Sequence, residues 1–303
     1  MTEQKQALGK SGWFRILLFA SLAFLAVGLA RADYLKAPQI ESPLRLALSL
    51  PLLMGGFVFG GVAWWRAAAN GEATLASGIA GSALSVFAKY VPGKIWVVLG
   101  RSEYMANRTT LSRKELGMRS LQLQLLVLWV GLLIGAVGAV IAGQTQTLGP
   151  IAIFAWLGLS IAVFTRKPHD LAELAARRLL RREITIPHLS FSGSLRLIPW
   201  TTLSWLSWCA GFHLLVTATY VGDLPWYGGA GFAAAATFGI LAVIFPGGLG
   251  VREGALTVWL VAIGCTTEQA ASIALVQRLW FLLGEAAYFL LGLVCRQLEG
   301  KSK

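Results

Sequence analysis

Lys89, Lys94, Arg101, Arg252, Glu253, Arg278 and Glu285 stand inside or against long apolar blocks. A charge at membrane depth costs about 2.5–3.5 kcal/mol on insertion scales, so it persists where it binds, relays or pairs. Five of these groups are cations and two are carboxylates, which points to the holding of an anion. Two of the cations flank a Pro-Gly step, Lys89-Tyr90-Val91-Pro92-Gly93-Lys94. Another follows a second step, Pro246-Gly247-Gly248-Leu249-Gly250-Val251-Arg252-Glu253. A helix broken at Pro-Gly frees backbone amides, and the half-helix that follows presents a positive N-terminal dipole end. Glycine-rich backbone, a helix N-terminus and an arginine together make a phosphate cradle.

The expected binding set is therefore Lys89, Pro92, Gly93, Lys94, Arg101, Pro246, Gly247, Gly248, Gly250, Arg252, Glu253, Arg278 and Glu285. The cations would neutralise a phosphate and the glycine amides would bond its oxygens. Glu253 and Glu285 would hold the cations in place, or accept protons if transport is ion-coupled. Arg278 and Glu285, seven residues apart, share one helical face and could also pair internally.

Other chemistries lack their residues. There is no H-E-x-x-H, no G-x-S-x-G, no acidic metal cluster and no Walker A lysine, so no catalytic residue, metal or cofactor is expected. Cys209, Cys265 and Cys295 are far apart in apolar segments and read as packing residues.

The elements that must position the charges follow from hydropathy. Of 303 residues, 56% are hydrophobic and 13% charged, about half the charge a soluble domain carries. Several apolar blocks match the roughly 20 residues a helix needs to cross the hydrocarbon. They show no sustained alternation, which excludes a transmembrane β-barrel. The net charge of +12 would suggest nucleic acid in a soluble protein. Here the cations crowd into a few inter-helix segments, the positive-inside pattern of an inner (plasma) membrane protein.

That pattern traces a path. The N-terminus is cytoplasmic and leads into a retained helix over 14–30; a helix over 44–65 returns. The basic stretch 101–119 is again cytoplasmic, so 73–90 cannot span and must turn back at Pro92-Gly93. Helices over 120–142 and 151–165 cross next, followed by the basic cytoplasmic loop 166–196, with an interfacial helix over 169–182. A helix over 197–220 exits. The pair within 229–264, broken at Pro246-Gly247, forms a second hairpin, and 268–295 returns to a cytoplasmic C-terminus. The predicted fold is all-α: about six spanning helices plus two oppositely oriented re-entrant hairpins in one membrane domain, 1–303. The halves 1–150 and 151–303 form an inverted repeat whose broken helices mark the binding site.

Among the remaining residues, Gly55, Gly56, Gly60 and Gly61 read as close helix packing. Trp64, Trp65 and Trp226 read as interface anchors, and His213 as a hydrogen-bonded structural residue.

The two Pro-Gly segments, with the Ala-rich stretch 270–278 ending in Arg278, resemble the flippase-like family, also called the lysylphosphatidylglycerol synthase transmembrane region. The resemblance spans nearly the whole chain and rests on a K-Y-x-P-G segment and a P-G-G-x-G-x-R-E segment. It implies binding or movement of lipids with charged or phosphorylated heads, such as aminoacylated phosphatidylglycerol or polyprenyl-phosphate-linked sugars. The aminoacyl-transferase domain of two-domain members is missing, so synthesis of the aminoacyl lipid is not expected. The resulting expectation is a lipid translocase. Its partners would be a phosphate-bearing lipid, the bilayer and a separate lipid- or glycan-modifying enzyme. A membrane enzyme and a non-transporting scaffold are the alternatives.

Overall fold

The structure of the chain, a computed structural model, describes residues 40–90, 95–143, 148–165, 191–220, 224–242 and 250–301, with Asp170, Glu173, Leu174, Arg178 and Gly248. The expected helix over 14–30 and the residues Pro92, Gly93, Lys94, Pro246 and Gly247 lie outside this set, as does nearly all of the basic loop.

Local signals start the helices. The Ser42 hydroxyl accepts the Arg45 amide at 3.4 Å and Pro43 occupies the first turn, opening α1 (Pro43–Ala68); a proline there gives up only an amide that would be unpaired anyway. Thr74 caps α2 (Leu75–Leu84), which ends in a 3₁₀ turn over Val86–Tyr90, and α3 spans Ile95–Ala106. Ser112 and Glu115 form a reciprocal capping box, with bonds of 3.2 and 3.0 Å, at the head of α4 (Arg113–Ile141). Helix α5 covers Leu148–Phe164 and α6 covers Ile198–Thr219. A short turn at Trp226–Gly229 leads into α7 (Ala230–Leu241), followed by α8 (Val251–Ala262) and α9 (Thr267–Lys301). No strand occurs among the described residues, and α1, α4 and most of α9 are long and apolar enough to cross a membrane.

Two boundaries differ from expectation. Helix α4 begins seven residues before the expected 120, because the capping box stabilises an N-terminus that apolar content does not reveal. The connection expected over 101–119 shrinks to 107–112, and Arg101 lies within α3.

The long helices have two common ends. At one, Arg66 of α1 lies 5.9 Å from the Trp200 ring of α6. There Arg119 of α4 donates to Ala67 O at 2.9 Å, and Arg108 donates to Glu299 of α9 at 2.8 Å. This end also carries Arg113, Lys114, Arg196 and Arg296. At the other end the Glu41 amide bonds Ala218 O at 2.9 Å and Arg45 donates to Thr217 O at 3.2 Å.

The loops around the α2–α3 pair are stitched together at the basic end. The Thr110 hydroxyl and amide both donate to Glu72, holding that carboxyl below its ordinary range. The chain thus leaves the basic end before α2 and is back there after α3. The α7–α8 pair likewise starts and finishes close together: Trp259 near the end of α8 donates to Gly228 O at 2.9 Å, beside the head of α7.

The bundle is tightened by an α1–α6 seam. Ser204, Ser207 and Trp208 donate to the carbonyls of Gly56, Leu52 and Leu53 at 2.7, 2.8 and 3.2 Å. A Cβ at Gly56 would run into the Trp208 ring. The glycine-rich stretch of α1 therefore works as close packing, as its spacing suggested.

Candidate functional site

The 3₁₀ turn after α2, the first turn of α8 and the middle of α9 meet in the interior of the bundle. Lys89 donates to Glu285 Oε1, and Tyr90 Oη donates to Glu285 Oε2 at 2.8 Å. Glu285 has no exposed surface, so both of its oxygens are bonded by the first half of the chain. Arg278 lies about two turns back along α9. Its Nε is 3.9 Å from Glu253 Oε1, and its guanidinium stands 5.3 Å from the Tyr90 ring. The alternative of an internal Arg278–Glu285 pair gives way to two crosswise contacts, Lys89–Glu285 and Arg278–Glu253.

Arg252 differs from its neighbours. It is 6% exposed, with its guanidinium 4.5 and 4.8 Å from the Phe281 and Phe232 rings. Its Nε and Nη2 have no hydrogen-bond partner among the described residues. Cation–π contact is worth about 2 kcal/mol when desolvated, but buried guanidinium donors without acceptors still demand a ligand or water.

A cavity of about 550 Å³ joins these groups. Lys89, Arg252 and Arg278 contribute at mid-depth and Arg101 nearer the basic end. On α4 and α6 the cavity touches Leu121, Gln124, Leu128, Thr201, Ser204 and Trp208, none more than one residue beyond the middle of its helix counted from the basic end. The far side is filled by fully buried Leu53, Phe212, Leu215 and Phe232. All four charged side chains on the described wall are cations: no Asp, Glu, His or Cys lines it among the described residues. Ile95 and Leu241, 49% and 47% exposed, sit at its edge.

Several sequence expectations change here. Arg101 shares the cavity but not the central cluster; it donates to Ser120 and lies 4.8 Å from the Trp64 ring. Trp64 is fully buried rather than an interface anchor, because it covers that guanidinium. Trp226, 76% exposed, has the exposure an anchor needs. The Gly250 amide does not face a ligand: Glu253 Oε2 accepts it at 2.8 Å, capping α8. Gly248, at φ +71°, lies against the Gly239 backbone, where a Cβ would come within 2.7 Å of its Cα. Its absent side chain serves a close crossing. His213 Nδ1 is buried without a partner among the described residues, contrary to its expected hydrogen bond.

Sequence reasoning missed Tyr90, Phe232, Phe281 and Ser120. Tyr90 had a signal, since it adjoins Lys89 within the first Pro-Gly segment. The other three carry none, because only the crossing of distant helices brings them to the charges. No family model, curated protein or solved structure matches this chain.

Proposed function

We propose that the chain is a lipid translocase related to the flippase-like family, which takes a phosphate-bearing headgroup into the cavity beside Arg252. The observation that carries this reading is a nearly buried arginine with two nitrogens unbonded among the described residues, lining a cavity whose charged groups on the described wall are all cationic. Such a wall suits an anion, and phosphate oxygens match the planar donors of arginine. The ligand is a lipid because the cavity reaches its edge at Ile95 and Leu241, apolar and exposed, where tails can leave into hydrocarbon. An enzyme acting on such a lipid is disfavoured: the described wall carries no carboxylate, histidine or thiol to activate a hydroxyl, and its lysine, Lys89, is ion-paired with Glu285.

The membrane arrangement belongs to the same proposal: six spanning helices and two re-entrant hairpins, α2–α3 and α7–α8, in an inverted repeat of 1–150 and 151–303. Helices of 10 to 12 residues reach only about 15–18 Å at 1.5 Å per residue, too short for a hydrocarbon core of about 30 Å. Each pair also begins and ends close together, and in this proposal the two pairs enter from opposite ends. The end bearing Arg66, Arg108, Arg113, Arg119 and Arg296 is cytoplasmic by the positive-inside rule. Cysteines introduced at Glu72 and Asn107 should therefore label from the cytoplasmic side and one at Gly143 from the opposite side. Labelling of 72 and 107 from opposite sides would end the hairpin reading.

The function itself is tested in liposomes containing phosphatidylglycerol with a fluorescent tail. The purified protein should raise the fraction reached by an impermeant quencher above that of protein-free vesicles. No increase for any phosphate-bearing lipid would remove translocation.

A further inference from the structure

Resting on that reading, we infer that the cavity selects headgroups whose part beyond the phosphate is uncharged and hydroxylated, and rejects headgroups carrying an amine. An ammonium group taken from water needs a carboxylate, several carbonyls or an open aromatic face. The described wall supplies no carboxylate. Neither nearby acid lines it: Glu285 accepts from Lys89 and Tyr90, while Glu253 Oε2 accepts from the Gly250 amide and Oε1, without a hydrogen bond among the described residues, lies 3.9 Å from Arg278 Nε.

The aromatic faces beside Arg252 and Arg101 are already occupied. Phe232 and Phe281 carry the Arg252 guanidinium at 4.8 and 4.5 Å, Phe281 also carries Lys89 Nζ at 5.1 Å, and Trp64 carries Arg101 at 4.8 Å. A second cation placed there would meet like charge in a low dielectric. A hydroxylated headgroup meets a different wall. Gln124 and Ser82 can bond its hydroxyls, and the Trp205 and Trp208 rings can pack against its carbons. The indole N–H groups of those rings are already spent on Val127 O and Leu53 O, and an ammonium resting on their faces would share the cavity with Lys89, Arg252 and Arg278 with no carboxylate on the described wall to offset them. A phosphodiester of glycerol, inositol or a sugar fits this pattern. Aminoacylated, ethanolamine and choline headgroups do not.

The test is native mass spectrometry of the detergent-extracted full chain with an equimolar mixture of phosphatidylglycerol, lysyl-phosphatidylglycerol and phosphatidylethanolamine of identical tails. Phosphatidylglycerol should be retained at least about tenfold over either amine-bearing lipid, a difference of about 1.4 kcal/mol. Gln124→Glu, which puts an acid on the wall, should narrow or reverse that preference. Equal retention of the three lipids, all lost together in Arg252→Met, leaves the phosphate site standing and overturns the selectivity. Preference for an amine-bearing lipid overturns it as well. Retention of none of the three, in wild type and Arg252→Met alike, removes the headgroup site and the selectivity with it. Glycerol phosphate at the same concentration lacks tails and should displace no lipid; displacement would make the ligand a free phosphoester.

Discussion

Replacing Arg252 with methionine should lower affinity for phosphatidylglycerol by roughly thirty- to several-thousand-fold, while the lipid-free protein in detergent melts no lower than wild type. Truncating one partner of a buried charged contact costs about 2–5 kcal/mol of binding, which is that range of affinities. Stability should behave differently because Arg252 is not a structural partner. Its Nε and Nη2 bond nothing among the described residues, and its attachments are the Phe232 and Phe281 rings. Methionine keeps the apolar contact with those rings and removes the cost of burying donors without acceptors. The same substitution at Arg113, whose pair with Glu103 is largely exposed, should leave binding within a few-fold, since surface pairs contribute about 0–1 kcal/mol. Lipid affinity from native mass spectrometry and melting midpoints from intrinsic fluorescence decide the matter. A variant that melts well below wild type but still holds the lipid would make Arg252 a packing residue.

Glu285→Leu should have the larger effect on stability, lowering it by about 3–5 kcal/mol, because it strands the Lys89 ammonium beside a hydroxyl and aromatic rings. Both carboxylate oxygens are bonded, one by Lys89 and one by Tyr90, so the loss falls on two donors at once. The double variant Lys89→Met with Glu285→Leu removes both charges and should recover most of the loss. The Tyr90 hydroxyl then remains unbonded, at about 1–3 kcal/mol. Recovery of stability without recovery of translocation is expected, because the double variant also takes a cation from the cavity wall. Denaturation of the purified single and double variants in one detergent gives the coupling. Strictly additive losses would show that Lys89 and Glu285 stabilise the protein independently.

The membrane character of the chain was legible in its sequence because hydropathy and length are local. Leu44 to Trp65 reads as an apolar helix whatever surrounds it, and α1 occupies that stretch with caps at Ser42 and Ala69. The same locality located the breaks between α2 and α3 and between α7 and α8, since Pro and Gly interrupt a helix through their own backbones. It also identified the ionisable residues, because a lysine or glutamate amid apolar residues is conspicuous without any knowledge of its partner.

What each charge does was decided by the tertiary structure. Lys89 and Glu285 lie 196 positions apart, and no local rule pairs a 3₁₀ turn with the middle of a helix in the other half. Arg101 looked like part of a basic connection until the fold carried α3 inward and set Ser120 and Trp64 around it. The Gly250 amide looked free until Glu253 folded back to accept it. The character of the cavity is likewise a tertiary property: the sequence holds acids beside the cations, and only helix crossing directs Glu253 and Glu285 into pairs and leaves the wall cationic. Pairing follows direction and distance across several helices, which the linear order of residues does not encode.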